Sequence, residues 1–394
     1  MHAFKRGLHF TRIDRLGVIS LMTSLGIALV TTIWALYLES VLGNISYVGF
    51  VTGLFTFVGI IASLILVPVI EKDGKSKIFI VSLIIFILTY LLFSVVSTFW
   101  LVILLGIIMA VTSSAKIISL GIIVRDNSKE KNASKNLGII YTFFNIAWLL
   151  GPLIAGFVAE KYGLGKVFIT AAGIILLSLI LFNSFKIKDN RTSKKVDYNL
   201  IKLVIDFLKN KDRLKTYFLS GGITFWNTLV YIFIPIYIVQ SSGTDLIVGY
   251  FLAAIILPLI SLDYYFGKLA GKIGFRKVFF RGYLILTIAA LMCFFISNLY
   301  FILVIIFLGG IGLAMLESTT ESYFFDIVNK NQRDKYYGPY NTTIEFNSLL
   351  ASLTLAGILL VLPFKFAFLV TAIAMGLLTI LASTTKNIVE SKRH

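Results

Sequence analysis

Twelve apolar stretches of about 20 residues, separated by short polar segments, constrain the fold of this chain more than any other feature. A helix rises about 1.5 Å per residue, so each stretch can cross the hydrocarbon core of a bilayer. A helix also satisfies its own backbone hydrogen bonds, as lipid requires. We therefore predict an all-α membrane protein whose spans cover 16–39, 45–70, 77–96, 99–124, 137–159, 166–185, 216–240, 245–267, 277–296, 299–325, 338–361 and 365–384.

Basic residues lie predominantly on one side of these predicted spans. Of the 36 lysines and arginines, 32 fall at the two termini and in or directly beside the loops that follow even-numbered spans. Three fall in or beside the opposite loops, namely Lys161, Lys166 and Lys365, and Lys116 lies inside a span. The positive-inside rule then predicts a multi-pass protein of the cell (cytoplasmic) membrane with both termini in the cytoplasm. The net charge of +17 is explained by topology and by contact with membrane lipids, so we expect no nucleic-acid partner.

The two halves of the chain are sequence repeats at an offset of 200 residues. The matches that carry this inference are Tyr37 with Tyr237, Gly43 with Gly243, Gly49 with Gly249, Lys72 with Lys272, Gly74 with Gly274, Lys77 with Lys277, Phe79 with Phe279, Asp126 with Asp326 and Gly138 with Gly338. We predict two pseudo-symmetric six-helix bundles, at 1–185 and 216–394. Between them, 186–215 forms a linker with a short amphipathic helix on the membrane or on the helix ends. Parallel repeats of six spans are typical of transporters with a site between the halves.

Two loops and one span carry motifs. The loop between spans 2 and 3 contains Glu71, Lys72, Gly74 and Lys75, and its repeat between spans 8 and 9 contains Gly267, Lys272, Gly274 and Arg276. Span 5 contains Gly151, Pro152 and Gly156, where the proline removes a hydrogen bond and the glycines permit close helix packing.

These motifs resemble the major facilitator superfamily, and its drug/proton antiporter-like branch in particular. That family carries G-x-x-x-D-R-x-G-R-R/K in both loops and G-P-x-x-G in span 5 of its exporters. Here Val67 replaces the first glycine, Glu71 replaces the aspartate, and Gly271 stands where the second acid belongs. The resemblance therefore implies a gating role for Glu71 and a cavity lined by spans 1, 4, 7 and 10.

Polar and aromatic residues inside the predicted spans are the candidate site. Ionisable groups in a membrane are costly and commonly functional. We expect proton coupling by Glu317, Glu321 and Glu345, with Glu317 and Glu321 one turn apart and able to share a proton. We expect the substrate cavity to include Lys116, Trp34, Trp226, Asn227 and Asn145, with Lys116 near the repeat equivalent of Glu317.

Other polar residues favour structural roles. Asp263 and Asp326 lie near loops and are expected to pair with loop lysines, and Pro235 is expected to bend span 7. The three histidines lie at the chain ends, and Cys293 is the only cysteine, so we predict no metal site and no cofactor.

We predict a monomeric secondary transporter that works by alternating access, with a small molecule and protons as its ligands. Proton-coupled export of amphipathic or cationic compounds is the leading hypothesis. A symporter or uniporter for a sugar, organic acid or peptide is the alternative. A membrane sensor or lipid scramblase on the same fold is a hypothesis of another class. We expect no enzymatic activity, because no Ser-His constellation or metal-ligand cluster is present.

Overall fold

The computed structural model describes residues 11–127, 133–185, 200–329 and 332–389, and within them every regular element is helical. Twelve helices are long and apolar enough to cross a membrane, which confirms the predicted all-α architecture. Spans 1 to 12 are Arg12–Leu42, Ile45–Asp73, Lys75–Phe93, Phe99–Asp126, Ala133–Tyr162, Leu164–Ser184, Lys211–Gln240, Asp245–Ile273, Phe275–Phe295, Leu299–Ile327, Arg333–Val361 and Lys365–Ser383. We call the helix ends next to the basic loops the basic end.

A single glycine separates spans 2 and 3, and another separates spans 8 and 9. Gly74 has φ 96° and Gly274 has φ 93°, a backbone region that side chains with a Cβ rarely adopt. The two loop motifs are thus tight turns that bring consecutive helices together at the basic end.

Close packing groups the chain into two units, which differ from the division by sequence repeat. The first unit comprises the described residues within Met1–Ile33 and Ile61–Lys194, and the second comprises those within Trp34–Ile60 and Lys195–His394. Spans 1 and 2 are therefore each shared between the units. The halves at 1–185 and 216–394 describe the repeat in the sequence, whereas these units describe packing.

Small side chains and aromatic contacts hold the first unit together. The hydroxyls of Thr23 in span 1 and Ser178 in span 6 lie 2.7 Å apart and form a buried hydrogen bond. The rings of Phe79 and Phe182 join spans 3 and 6 at a centroid distance of 4.9 Å. Such buried pairs fix neighbouring helices against each other where the hydrophobic effect between helices is absent.

In the second unit, the segment from Trp34 to Ile60 packs on spans 7 and 11. A Cβ built on Gly49 would lie 2.7 Å from the Cβ of Ala356 and 2.8 Å from Cζ of Phe233. Gln240 Nε2 donates to Glu39 Oε1 at 2.9 Å. The close approach of span 2 to span 11 therefore depends on the small residues Gly49 and Ala356.

Span 7 is interrupted by one π-helical turn at Leu229–Phe233, directly before Pro235. A proline cannot donate to the preceding turn, and a π turn accommodates the displaced backbone. The structure thus shows a change of helix type next to Pro235, and the expected bend of span 7 stays a prediction. Such turns are frequent at functional sites.

The linker contains a helix at Leu200–Lys209, which packs on the basic ends of spans 7, 10 and 11. Phe207 is fully buried, with its ring 6.1 Å from that of Tyr217, 6.4 Å from Phe324 and 6.1 Å from Tyr336. The guanidinium of Arg213 lies 4.0 Å from the centre of the Tyr336 ring. Contact with the helix ends is one of the two locations predicted for this helix.

Candidate functional site

Glu317 lies in span 10, ten residues from its end, which corresponds to about 15 Å of helix. The exposed apolar stripe of this span consists of Tyr300, Phe301, Val304 and Leu308 and is the face suited to lipid. Glu317 is nine positions beyond Leu308. At about 100° per residue this is about two and a half turns, so the two side chains leave the helix on opposite faces. The side chain of Glu317 is nevertheless solvent-exposed. Glu317 is thus accessible on the face that lipid does not cover.

Two groups from other helices act electrostatically on Glu317. They are Asp263 of span 8 and Tyr231, which lies within the π turn of span 7. Spans 8 and 10 are close here, because a Cβ on Gly310 would lie 3.2 Å from Cγ of Pro258. We expected Asp263 to pair with a loop lysine. Its Oδ1 is instead buried with no hydrogen-bond partner among the described residues. No sequence pattern indicates this arrangement, because it depends on the packing of spans 7, 8 and 10.

Glu321 is exposed one turn further along span 10 and interacts with span 11. Tyr337 Oη donates to Glu321 Oε1 at 2.6 Å. The ring of Tyr337 also stacks on Phe325 at a centroid distance of 5.6 Å. Glu321 therefore serves as an acceptor that joins spans 10 and 11 at the basic end, and its expected share in proton coupling stays a prediction.

Glu345 is half-buried in span 11 and interacts electrostatically with Tyr217 of span 7. Two residues further on, Asn347 is buried and donates to the backbone oxygen of Thr343 at 2.8 Å. A Cβ on Gly221 would lie 2.2 Å from the amide group of Asn347. Sequence analysis did not select Asn347 or Gly221. A buried amide facing a glycine cannot be recognised before the helices are paired.

The remaining cavity candidates lie in both units. In the first unit, Lys116 is half-buried in span 4 and Asn145 is exposed on span 5. In the second unit, Trp34 is half-buried, with its ring 6.0 Å from Tyr37 and 6.1 Å from Phe55.

Span 7 carries the other two cavity candidates of the second unit. Trp226 is buried, and a Cβ on Gly309 of span 10 would lie 2.9 Å from its Cζ2. Its neighbour Asn227 is half-buried. Trp226 therefore fills the space that a glycine leaves between spans 7 and 10.

The first loop motif is anchored by a buried ion pair. Lys75 Nζ donates to Asp126 Oδ2 at the end of span 4, and both side chains are less than 10% exposed. The predicted gating residues Glu71 and Lys72 belong to span 2, but the side chains of 71–73 lie outside the described residues. In the sequence Asp126 stands out only as the repeat match of Asp326, whereas the structure makes it the partner of the motif.

The second loop motif is apolar where the first is charged. Phe275, the repeat equivalent of Lys75, is buried against Phe279 and Tyr323 at centroid distances of 6.1 and 5.6 Å. Among the other predicted residues of this copy, Lys272 and Arg276 flank the turn and are exposed, whereas Gly267 is half-buried further back in span 8. The two copies thus share the turn but differ in what holds it.

The span 5 motif packs on span 1. A Cβ on Gly151 would lie 2.5 Å from the Cβ of Ala28, and Pro152 and Gly156 are buried. Span 5 stays helical through Pro152. Within the described residues, no three His, Cys, Asp or Glu side chains converge in a metal-binding arrangement.

Comparisons with known proteins agree with this architecture. Two Multidrug resistance protein MdtG sequences, from Salmonella schwarzengrund and Salmonella arizonae, are each 28% identical to the chain over 167 residues. These matches cover 41% of the chain and span about two fifths (41%) of the length of the relatives. A POT family transporter in complex with 5-aminolevulinic acid has the same fold, with a TM-score of 0.76, 12% identity and 94% of each chain covered. A peptide transporter POT in complex with sulfate gives a TM-score of 0.73 at 12% identity, over 94% of this chain and 92% of that one.

The family comparison covers nearly the whole chain. The Major Facilitator Superfamily matches residues 16–262 and 218–393, so both six-helix halves contribute to the match. With twelve membrane-spanning helices, repeated glycine turns at the basic end and this match, the chain belongs to the Major Facilitator Superfamily.

Proposed function

We propose that the protein is a secondary transporter that exports amphipathic or cationic small molecules in exchange for protons, by alternating access. The observation that carries this proposal is the position of Glu317, exposed within span 10 on the face opposite the apolar stripe. An acid at this depth is costly to retain unless it binds a cation or a proton. Glu317 is therefore the proposed site where proton and substrate compete.

The surroundings of Glu317 favour a role in binding and releasing protons or cations over a purely structural role. A structural carboxylate in a membrane protein is normally paired. Within the described part of the second unit, Glu317 forms no hydrogen bond and no ion pair, and Asp263 and Tyr231 are the groups that act on it. A carboxylate without a fixed partner can accept a proton or a cation without first breaking a bond.

The substrate class is proposed from charge and from the relatives. A second acid beside Glu317 favours a cation over an anion. The chain resembles proteins named for multidrug resistance over 41% of its length, and it carries the span 5 motif of exporters. Aromatic rings such as Trp34 would suit flat cationic compounds. The protein would act as a monomer in the cytoplasmic membrane, with its basic end in the cytoplasm.

Transport of ethidium into inverted membrane vesicles tests the proposal. An interior-acid pH gradient should drive accumulation of ethidium, and a protonophore should abolish it. Vesicles without the protein provide the control. Uptake of a nutrient into right-side-out vesicles would instead indicate a symporter. Movement of labelled lipid without a gradient would indicate a scramblase.

A further inference from the structure

The second loop motif lacks the ion pair that holds the first. In the first copy, Lys75 ties the turn to Asp126 at the end of span 4. The repeat equivalent of Lys75 is Phe275, whose apolar side chain cannot form an ion pair. Both turns place a glycine at positive φ. Since the second turn has no lysine at the position of Lys75, other contacts hold it in place.

That anchor is the segment Thr384–Val389, which follows span 12 and returns to the turn between spans 8 and 9. The backbone N–H of Phe275 donates to the backbone oxygen of Ile388 at 3.3 Å. A Cβ on Gly274 would lie 2.1 Å from Oδ1 of Asn387 and 3.1 Å from Cγ2 of Val389. The segment therefore lies directly against the glycine turn.

The same segment also contacts spans 7 and 10. The backbone N–H of Lys386 donates to Tyr323 Oη of span 10 at 3.1 Å. Lys386 Nζ lies 2.6 Å from Asp212 Oδ2, and Lys215 Nζ donates to the backbone oxygen of Thr384 at 2.9 Å, both at the start of span 7. The ring of Tyr323 in turn packs on Phe275, so the segment, span 10 and the first residue of span 9 contact one another around the turn.

We propose that Thr384–Val389 is a strap that fixes the turn between spans 8 and 9 to spans 7 and 10, in place of the ion pair that fixes the first turn. The backbone N–H groups of a first helical turn have no partner inside their helix. The strap supplies an acceptor to one of these groups in span 9. Each of the three hydrogen bonds described above uses a backbone atom of the strap, whereas the exposed ion pair of Lys386 with Asp212 contributes little by itself.

The strap also predicts a step in transport, and this part rests on the proposed function. If the basic end opens and closes during the cycle, the turn between spans 8 and 9 must move as one body with spans 7 and 10. A loosened turn would slow the conformational change without removing Glu317. Substrate binding at equilibrium should therefore survive loss of the strap.

Hydrogen–deuterium exchange of the purified protein tests the strap without any transport assay. Truncation after Ser383 should increase exchange of the peptide covering 274–278 by about fivefold or more, as expected when one or two hydrogen bonds are lost. The matched control is the peptide covering 74–78, which should exchange at the parent rate. Truncation after Val389 keeps the strap and should leave both peptides unchanged.

A point variant covers the case in which the truncated protein does not fold. Tyr323→Phe removes the acceptor of the Lys386 N–H and keeps the ring on Phe275, so it should loosen 274–278 in the same direction by a smaller factor. Lys75→Ala should loosen 74–78 and leave 274–278 unchanged. Parent-like exchange of 274–278 in both strap variants, or equal loosening of both turns, would overturn the proposal. If the strap variants loosen 274–278 alone and the parent protein transports nothing, the strap is supported and the proposed function is rejected.

Discussion

At the scale of single residues, Glu317 differs from its neighbour Glu321 in how it is held. Glu321 accepts a hydrogen bond from Tyr337 at 2.6 Å, whereas Glu317 faces Asp263 and Tyr231 through electrostatic interaction. A bonded carboxylate stabilises one helix arrangement, while an unbonded one can change its proton or cation occupancy. The two acids are one turn apart, and their different neighbours are the reason that we propose different roles for them.

Glu317→Gln should abolish gradient-driven accumulation of ethidium and leave downhill exchange of substrate. Glutamine keeps the size of the side chain but cannot release a proton, so coupling is lost while the path remains. The measurement is transport in reconstituted vesicles with and without a pH gradient. Glu321→Gln is the matched control and should have the milder effect. If Glu317→Gln pumps like the parent, Glu345 becomes the next candidate.

At the scale of elements, the linker helix is part of the second unit. Phe207 fills a pocket between spans 7, 10 and 11, and Asp206 binds the side chains around it. Tyr336 Oη donates to Asp206 Oδ2 at 2.5 Å, and Lys335 Nζ lies 3.6 Å from the same atom. The Tyr336 hydrogen bond, assisted by Lys335 and Arg213, holds the pKa of Asp206 below its ordinary value of 3.8.

Docking of the linker helix should depend on pH through Asp206. Because its folded pKa lies below the unfolded value, the contribution of Asp206 is complete above about pH 4 and is lost as the pH falls through the folded pKa. Asp206→Asn should make amide exchange of Leu200–Lys209 about two- to fivefold faster at pH 7, relative to intrinsic rates, because this exposed site is screened by solvent.

The low-pH loosening should be present in the parent and absent in Asp206→Asn. Tyr336→Phe removes the largest cause of the lowered pKa, so loosening should begin at a higher pH than in the parent. Identical pH profiles for the parent and Asp206→Asn would show that the helix is held by Phe207 packing alone.

At the scale of the whole molecule, the charge bias predicts the topology, whereas packing defines the units. The 32 basic residues on one side of the predicted spans favour an orientation with that side in the cytoplasm. The units instead cut through spans 1 and 2, with Trp34–Ile60 joined to the second unit. Orientation and packing therefore follow different rules in this protein.

Labelling of intact cells with a membrane-impermeant maleimide tests the orientation. In a Cys293→Ala background, a cysteine at exposed Lys161 should react from outside, whereas one at exposed Lys209 should react only after permeabilisation. The two positions are matched lysines at helix ends, which the charge bias predicts to lie on opposite sides of the membrane. Reaction at Lys209→Cys in intact cells would invert the topology.

By itself the sequence determined the twelve helices, the repeat and the glycine turns, because length, hydrophobicity and positive φ are local requirements. Gly74 and Gly274 are turns in any arrangement of the spans. The sequence indicated one member of the candidate site but not the residues around it. Glu317 could be chosen from its depth in an apolar stretch, but Asp263 is 54 residues away and no local pattern links them.

Only the tertiary structure decided which residues act together. The buried pair of Lys75 with Asp126, the contact of Gly221 with Asn347 and the return of Thr384–Val389 to Gly274 all join segments distant in the chain. Such contacts depend on which helix faces meet, and in lipid that choice is made by close packing and hydrogen bonds. Hydrophobicity makes each span a helix, but it does not determine which face of that helix packs against another helix.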